Sequence, residues 1–306
     1  MLTTTHKEEL KVLLGEDVEF DLSLSLYTSI RVGGLADAFI SLKNAEELQK
    51  TILWARTRNI PFFILGKGSN TLFRDGGFRG LVLHLGKGFR NFALVKEEGK
   101  NVWVEAEGGV PTQQMVRWCV EQGFTGLERL AGVPGTLGGN VFMNAGTYLG
   151  EIGEIVEEVS ICDGKGKLQT IKKEKLDFEY RKSNLAPSSV VLKVLLKLEK
   201  GDKEAIEKNV REVFEKRGLT QPVEIPNLGS VFKNAGKKKA WELIEEAGCK
   251  GVRVGQARVS EKHANFIINE GGATAKDVLI LIGLIKDKVK ESSGIVLETE
   301  IKVVGE

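Results

Sequence analysis

The sequence contains few of the residues that build disulfide frameworks and metal sites. Of its 306 residues, three are cysteine and three are histidine. Cys119, Cys162 and Cys249 are odd in number, widely spaced and outside any CxxC motif, which argues against a disulfide framework or a zinc site. The histidines lie far apart, and no HExxH motif occurs. No metal cofactor is therefore expected.

Long apolar runs and a strong net charge are also missing. No run approaches the ~18 residues that a membrane span needs, and the N-terminal MLTTTHKEELKVLL lacks the apolar segment of a signal peptide. Basic and acidic residues are interspersed, and the net charge is only +2, so nothing favours binding to nucleic acid. We expect a cytoplasmic protein without membrane insertion or a nucleic-acid partner. The length suffices for two domains, or for one large domain with a small partner.

Glycine, in contrast, is abundant and concentrated in two loops. The first glycine loop, residues 65–73, reads LGKGSNTLF, and the second glycine loop, residues 131–146, reads AGVPGTLGGNVFMNAG. Loops of this composition expose backbone N–H groups and let the chain approach a ligand closely. Together they suggest a dinucleotide held from two sides. Ordinary structural turns remain an open alternative for either loop alone.

Neither loop matches a common nucleotide-binding motif. GxGxxG does not occur, and a regular βαβ series at Rossmann spacing is absent. GKGSN is also not GxxxxGK[ST], which argues against a nucleoside-triphosphate P-loop. A ligand of these loops would be held in another way.

The remaining pattern predicts alternating strands and helices with a domain boundary near Arg217. Asn44 with Glu47 begins a helix that reaches about Arg58, and Gly218 is the predicted end of the helix from residue 203. The strand at 190–198 is unusually apolar and is predicted to be central. The other predicted strands are 62–65, 81–85, 102–106, 156–162 and 296–304. The other predicted helices are 111–123, 240–247 and one capped by Thr274 with Asp277.

Two candidate chemical groups lie in the middle of the chain. FEYRKSN places Arg181 beside Tyr180, with Ser183 nearby, and such an arginine can present a fixed guanidinium to a carboxylate or an enolate. An ordinary surface ion pair is the alternative. IPNLGSVFKN places Ser230 after a glycine, where its hydroxyl can act as a nucleophile or a proton donor. A serine that bonds its own backbone is the alternative.

Two further candidates lie near the C-terminus. VSEKHANF contains Lys262 and His263, a basic pair that can meet a diphosphate or belong to a solvated turn. VLETEIKVV places Glu298 and Glu300 on one face of a predicted strand, either in a site or facing water. Alternation alone cannot separate the two glutamates.

These loops and motifs occur in an order that resembles the UDP-N-acetylenolpyruvoylglucosamine reductases, the flavoenzymes that make UDP-N-acetylmuramate for peptidoglycan. The resemblance runs from TSIRVGG, at residue 28, to the C-terminus. It rests on GKGSNTLF, AGVPGTLGGNVFMNAG, EYRKSN, GSVFKN and VSEKHANFI. Each motif is moderately specific, and all five in series are highly specific.

The resemblance implies an α+β fold with a two-lobed FAD-binding region of the vanillyl-alcohol-oxidase type, followed by a smaller α+β substrate domain. We expect the FAD-binding region at 1–217, with lobes at roughly 1–90 and 91–217, and the substrate domain at 218–306. The FAD diphosphate would lie on Gly66, Lys67, Gly68, Ser69 and Asn70. The flavin ring would be flanked by Gly132, Pro134, Gly138 and Asn144, with Arg31 as a further contact. No histidine or cysteine lies in either glycine loop, so FAD is expected to be noncovalent.

The resemblance also implies two half-reactions. NADPH reduces FAD and leaves, and UDP-N-acetylglucosamine enolpyruvate then takes hydride at its terminal alkene carbon. Ser230 would protonate the adjacent carbon, while Arg181 and Glu300 flank the carboxylate. Glu298 is the rival for the acid role. The remaining substrate contacts would be Tyr180, Asn234 and Lys262.

Some features depart from part of the family, and other functions stay open. The larger subclass carries a lid tyrosine between the positions of Arg181 and Ser230, but that interval contains no tyrosine here, so the chain resembles the smaller subclass. Gly139 and Asn140 stand where the larger subclass tends to have serines. An FAD oxidase or dehydrogenase of the same fold, acting on an alcohol or a sugar acid, is the alternative enzyme. A noncatalytic flavin-binding module is the alternative outside catalysis.

Overall fold

A computed structural model describes residues 1–306, with every side chain except that of Lys87. The α-helices are α1 (Thr4–Leu14), α2 (Ala45–Thr57), α3 (Thr112–Gln122), α4 (Leu137–Phe142), α5 (Lys203–Thr220), α6 (Ala240–Glu246) and α7 (Ala275–Ser293). The strands of the first half are β1 (Val18–Ser23), β2 (Leu35–Ser41), β3 (Phe62–Leu65), β4 (Thr71–Phe73), β5 (Phe78–His84), β6 (Phe92–Glu98), β7 (Asn101–Glu107), β8 (Phe124–Thr125), β9 (Gly146–Thr147) and β10 (Gly150–Glu151). Those of the second half are β11 (Val156–Cys162), β12 (Leu168–Lys172), β13 (Phe178–Glu179), β14 (Lys182–Ser183), β15 (Val190–Lys200), β16 (Asn227–Ser230), β17 (Arg253–Val254), β18 (Ala257–Val259), β19 (Phe266–Asn269) and β20 (Lys302–Val304).

The chain divides into two compact units. Unit 1 comprises Met1–Phe20, Ala38–Gly66 and Gly80–Glu215, and unit 2 comprises Asp21–Asp37, Lys67–Arg79 and Lys216–Glu306. Two early segments therefore cluster with the C-terminal chain, and β2, β5 and α5 run from one unit into the other. The division expected from the sequence, at residue 217 with two preceding lobes, stays a prediction.

Unit 1 contains the larger sheet, with strand order β12-β11-β15-β7-β6 and β8 paired to β15. Its neighbouring strands are antiparallel, and β15 lies in the middle, as its apolar sequence predicts. Burial alternates along β7, where Val102, Val104 and Ala106 face a core that also contains Met115 and Leu137. The second glycine loop and α4 are packed on this sheet.

A smaller sheet with the order β1-β2-β5-β3 belongs largely to unit 1. β3 and β5 are parallel, with Phe62 opposite Leu81. Helix α2 buries Leu48, Ile52 and Ala55, and these side chains share a core with Leu81. Because β3 leads directly into the first glycine loop, this packing fixes where the loop begins.

Unit 2 is built on an antiparallel sheet of order β16-β19-β18-β17 and a parallel pair, β20 and β4. Helix α7 contributes Val278, Leu281 and Ile285 to its core, together with Leu72 from β4 and Val231. This core fixes the C-terminal segment and residues 67–73 of the first glycine loop within the same unit.

Several local signals predicted their elements correctly. Asn44 caps α2 by accepting the Glu47 N–H at 2.9 Å, and Thr274 and Asp277 cap α7 reciprocally at 2.9 and 3.0 Å. Gly123 ends α3 with φ +70°. No described helix combines the length and the apolar composition needed to cross a bilayer.

Two predicted boundaries are wrong. Helix α5 does not end at Gly218 but continues to Thr220, because a single glycine is tolerated inside a helix at a cost of only about 1 kcal/mol. The strand predicted at 296–304 is reduced to β20 at its end. Residues 296–301 are irregular, with one isolated bridge between Thr299 and Phe232, so Glu298 and Glu300 do not share a strand face.

Candidate active site

The two glycine loops approach each other in unit 1. A side-chain carbon placed on Gly66 would lie 2.8 Å from Thr136 Oγ1, so the start of the first loop contacts the middle of the second. The Thr136 hydroxyl also accepts the Gly139 N–H at 3.4 Å, at the start of α4. One ligand can therefore contact backbone from both loops.

The rest of the first glycine loop is fixed within unit 2. Gly68 has φ +63°, and a side-chain carbon there would lie 2.0 Å from the Tyr27 carbonyl oxygen. The Gly68 carbonyl accepts the Ser29 N–H at 3.1 Å. Asn70 donates from Nδ2 to the Glu300 carbonyl at 3.2 Å and accepts the Lys302 N–H at 2.9 Å. The first loop and the candidate acid Glu300 are thus neighbours.

Backbone N–H groups of the second loop are partly engaged by the protein itself. The Gly132 N–H donates to Gln113 Oε1 at 3.0 Å, and the Gly138 N–H donates to the Gly108 carbonyl at 2.9 Å. A side-chain carbon on Gly138 would lie 3.0 Å from the same Gly108 oxygen. Gly138 is therefore required for the close approach of α4 to the chain after β7. Sequence reasoning missed Gln113, which no motif marks.

Asn144, at the end of the second loop, has a left-handed backbone with φ +44°. It is buried, and Nδ2 donates to the Glu179 carbonyl at 2.9 Å and to Glu151 Oε2 at 2.5 Å. Its Oδ1 accepts the Gly153 N–H at 3.0 Å. These contacts fix the loop end against the segment that carries Arg181.

Arg181 lies between β13 and β14, with φ +57°. Its guanidinium stacks on the Tyr180 ring, 4.8 Å from the ring centroid. Nη1 lies 3.5 Å from Glu151 Oε1, and Nη2 donates to the Gly146 carbonyl at 3.4 Å. Its side chain is only 19% exposed, so it can meet an anion in a partly desolvated setting.

Ser183, in contrast, has a structural role. It is buried, and its hydroxyl donates to the Phe142 carbonyl at 2.7 Å. This contact holds β14 against α4 and thereby supports the position of Arg181.

Ser230 and Glu300 lie on neighbouring backbone segments of unit 2. Ser230 ends β16, where it pairs with Phe266, and the Glu300 N–H donates to the Val231 carbonyl at 2.8 Å. Gly229 precedes the serine with φ +71°, a conformation that suits glycine in a tight turn. Both candidate side chains are half-buried.

The two C-terminal glutamates have different surroundings. Glu298 is 76% exposed and lies 3.4 Å from Lys233 Nζ, whereas Glu300 is half-buried beside the first glycine loop. The structure thus distinguishes them, which alternation could not.

The remaining candidates are distributed around unit 2. Asn234 Oδ1 accepts the Ala240 N–H at 3.0 Å at the start of α6. Lys262 Nζ donates to the Gly218 carbonyl at the end of α5. Arg31 is exposed and left-handed, with φ +57°. His263 packs against Phe266 at 4.8 Å, and burial lowers its pKa, with the nearby Arg217 adding to the effect.

Comparisons with known proteins give similar families, sequences and a similar structure. Residues 36–172 match the FAD binding domain family, and residues 221–304 match the C-terminal domain of UDP-N-acetylenolpyruvoylglucosamine reductase. The reductase of Syntrophus aciditrophicus is 40% identical over 98% of this chain and 96% of its own length, and that of Clostridium novyi gives the same values. The crystal structure of the Thermus caldophilus reductase, 37% identical, superposes with a TM-score of 0.80 over 93% of this chain and 98% of its own. These matches confirm the α+β fold with an FAD-binding region before a smaller C-terminal domain.

Proposed function

Because the chain belongs to the UDP-N-acetylenolpyruvoylglucosamine reductase family, we propose that it reduces UDP-N-acetylglucosamine enolpyruvate to UDP-N-acetylmuramate for peptidoglycan synthesis, with NADPH as the hydride donor. The protein is an FAD-dependent oxidoreductase. We place the reaction in the cytoplasm, where NADPH and UDP-linked sugars are available.

The observation that carries the proposal is the hydrogen-bonded connection of three groups in unit 2. Ser230 adjoins Val231, whose carbonyl accepts the Glu300 N–H, and the Glu300 carbonyl accepts from Asn70 of the first glycine loop. The residues proposed as proton donor and as acid are therefore linked to the loop proposed to bind the flavin. Such a connection suits a reaction in which hydride and proton reach adjacent carbons of one substrate.

The loops fit FAD by their geometry and their donors. At Gly68 the Tyr27 carbonyl, and at Gly66 the Thr136 hydroxyl, come too close to leave room for a side-chain carbon. Serine, threonine and asparagine side chains supply polar groups for a diphosphate. Noncovalent binding agrees with the absence of cysteine and histidine from both loops. The residues proposed to hold FAD are Gly66, Lys67, Gly68, Ser69, Asn70, Gly132, Pro134, Gly138, Asn144 and Arg31.

FAD held by these residues would supply the redox chemistry, which is hydride transfer from NADPH to the terminal carbon of the enolpyruvyl double bond. Negative charge then develops on the adjacent carbon and spreads into its carboxylate. Arg181 and Glu300 stabilise that charge, through the guanidinium and through a proton shared with the carboxylate. The Ser230 hydroxyl gives its proton to the carbon, which completes the saturated lactyl ether. A serine hydroxyl is a weak acid, so it needs a strongly basic carbon held close.

The substrate diphosphate requires donors distinct from these groups. We assign Asn234 and Lys262 to it, since an amide nitrogen and an ammonium both suit phosphate oxygens. Tyr180, which is 44% exposed beneath Arg181, presents an aromatic face to the substrate.

Product analysis tests the proposal. Wild-type protein, NADPH and the enolpyruvyl substrate are expected to give a product heavier by two hydrogens. Ser230→Ala is expected to slow product formation by about 10²-fold or more while leaving reduction of the flavin by NADPH unchanged. Product formation by Ser230→Ala at the wild-type rate would contradict the role of the serine. Failure of wild-type protein to reduce the substrate would contradict the proposed function.

A further inference from the structure

Glu151, in β10, bridges two groups of the candidate site in unit 1. Its Oε2 accepts from Asn144 Nδ2 at 2.5 Å, and its Oε1 lies 3.5 Å from Arg181 Nη1. The side chain is 29% exposed. One carboxylate thus connects the end of the second glycine loop with the arginine that would face the substrate.

Glu151 and Gly146 both contact the guanidinium of Arg181. The carboxylate contact at 3.5 Å and the carbonyl contact with Gly146 at 3.4 Å are both long. An arginine–carboxylate pair of full strength is shorter, about 2.7–2.9 Å. The Tyr180 ring supports the flat face of the guanidinium. An incoming carboxylate can therefore form a shorter bond with the guanidinium than either of these two contacts.

Asn144 connects the end of the second glycine loop to the Glu151 carboxylate. Its amide contacts Glu151, Gly153 and Glu179, which all follow it in the chain within unit 1. The Glu151 N–H is itself held by Glu154 Oε1 at 2.9 Å. Glu151 is thus held at its backbone N–H and at Oε2. These two contacts fix the position of Oε1, which faces Arg181 Nη1.

We infer that Glu151 is a positioning residue, which sets the Arg181 guanidinium and couples it to Asn144 of the second glycine loop. The inference rests on the proposed function, in which Arg181 stabilises charge on the substrate carboxylate. Glu151 acts through Arg181 and need not contact the substrate.

Glu157 provides a matched control on β11, the next strand along the chain. Its side chain is 27% exposed and pairs with Lys173 at 2.8 Å. Glu157→Gln therefore removes one paired, partly buried carboxylate of unit 1 without altering a contact of Arg181.

The test measures both half-reactions anaerobically. Glu151→Gln is expected to slow flavin reoxidation by the enolpyruvyl substrate by about 10²-fold, the scale of a misplacement of about 1 Å, while NADPH still reduces the flavin normally. Glu157→Gln is expected to change neither rate. Glu151→Asp keeps both carboxylate oxygens and is expected to recover part of the rate. If Glu151→Gln does not bind FAD, the two half-reaction rates are compared between wild-type protein and Glu151→Asp instead.

A double-mutant cycle and a crystal structure separate positioning from a general structural role. In an Arg181→Ala background, Glu151→Gln is expected to add little further loss. A crystal structure of Glu151→Gln is expected to show the Arg181 guanidinium displaced from the Gly146 carbonyl. An undisturbed Arg181, an unchanged reoxidation rate, or a full additional loss in the Arg181→Ala background would overturn the inference. Wild-type protein that the substrate cannot reoxidise would instead contradict the proposed function, and the inference with it.

Discussion

At the scale of single residues, two residues of the candidate site in unit 1 have backbone conformations that non-glycine residues rarely adopt. Arg181 has φ +57° and Asn144 has φ +44°. Asparagine tolerates this region, whereas a residue such as arginine loses roughly 1–2 kcal/mol there. Both are joined to Glu151 by their side chains. The surrounding contacts hold this strain, which is a common property of functional sites.

Glu300 is expected to act in substrate reduction and not in flavin reduction. Glu300→Gln keeps the size of the side chain but removes the acid, so stabilisation of charge on the substrate carboxylate is lost. Rapid-mixing absorbance should show reoxidation by substrate slowed by about 10²-fold or more, with flavin reduction by NADPH nearly unaffected.

Glu298→Gln is the control for this prediction. Glu298 is exposed and pairs only loosely with Lys233, at 3.4 Å, so both half-reactions should remain normal. Equal slowing of the two half-reactions in Glu300→Gln, or a larger effect in Glu298→Gln, would show that the acid is assigned to the wrong residue or step.

Sequence reasoning reached some of these residues and not others. Arg181, Ser230 and Glu300 stand in motifs of a recognisable series, so they could be named before the structure. Glu151 and Gln113 act through contacts with residues that are distant or unremarkable in sequence. Such contacts leave no local pattern, because they depend on how strands and loops pack.

At the scale of secondary-structure elements, the start of α7 depends on a residue two hundred positions earlier. Asp75 accepts the N–H groups of Ala275 and Lys276 at 2.8 and 2.9 Å. These are first-turn donors that the helix itself cannot satisfy, and a carboxylate there also interacts favourably with the helix dipole. The contact attaches the segment after β4 to the C-terminal helix within unit 2.

Asp75→Ala is expected to destabilise unit 2 by about 0.5–2 kcal/mol, the usual cost of losing a helix cap. Urea unfolding, followed by circular dichroism, measures the effect. Asp75→Asn retains one acceptor and should cost less. Asp287→Ala, an exposed position inside α7, is the control and should change stability little. A loss in the control as large as that in Asp75→Ala would contradict the capping role.

The elements show which sequence signals are reliable. Caps such as Asn44 and Thr274 predicted the starts of α2 and α7, because a cap acts within a few residues. Gly218 gave a wrong end for α5, since a glycine can end a helix or be tolerated within it. The pattern at 296–304 also misled, because alternating residues form a strand only where a partner strand is available. Within residues 296–304, the part that pairs with β4 is β20.

At the scale of the whole molecule, burial of histidines connects stability to pH. Burial lowers the pKa of His84, with Arg90 adding to the effect, and burial likewise lowers the pKa of His263 below its ordinary 6.5. The unfolded chain therefore binds protons more readily than the folded one at these positions. Their contribution to stability is complete above about pH 6.5 and is lost as the pH falls through the lower folded pKa values.

The free energy of unfolding should consequently fall between about pH 7.5 and about pH 5.5. Urea unfolding at both pH values measures the decrease, and the double variant His84→Gln, His263→Gln should show a smaller one. Carboxyl groups whose pKa is lowered, such as those of Glu154 and Asp163, stay ionised in this window. If the free energy of unfolding decreases equally in wild-type protein and in the double variant, groups other than these histidines control its dependence on pH.

The proposed function requires one protein to accept hydride from NADPH and to deliver it to an enolpyruvyl group. Anaerobic double-mixing absorbance on wild-type protein tests it most directly. The protein is first reduced with NADPH and then mixed with UDP-N-acetylglucosamine enolpyruvate. The flavin band is expected to bleach in the first mixing and to return in the second. A band that bleaches and does not return with this substrate would contradict the proposed function.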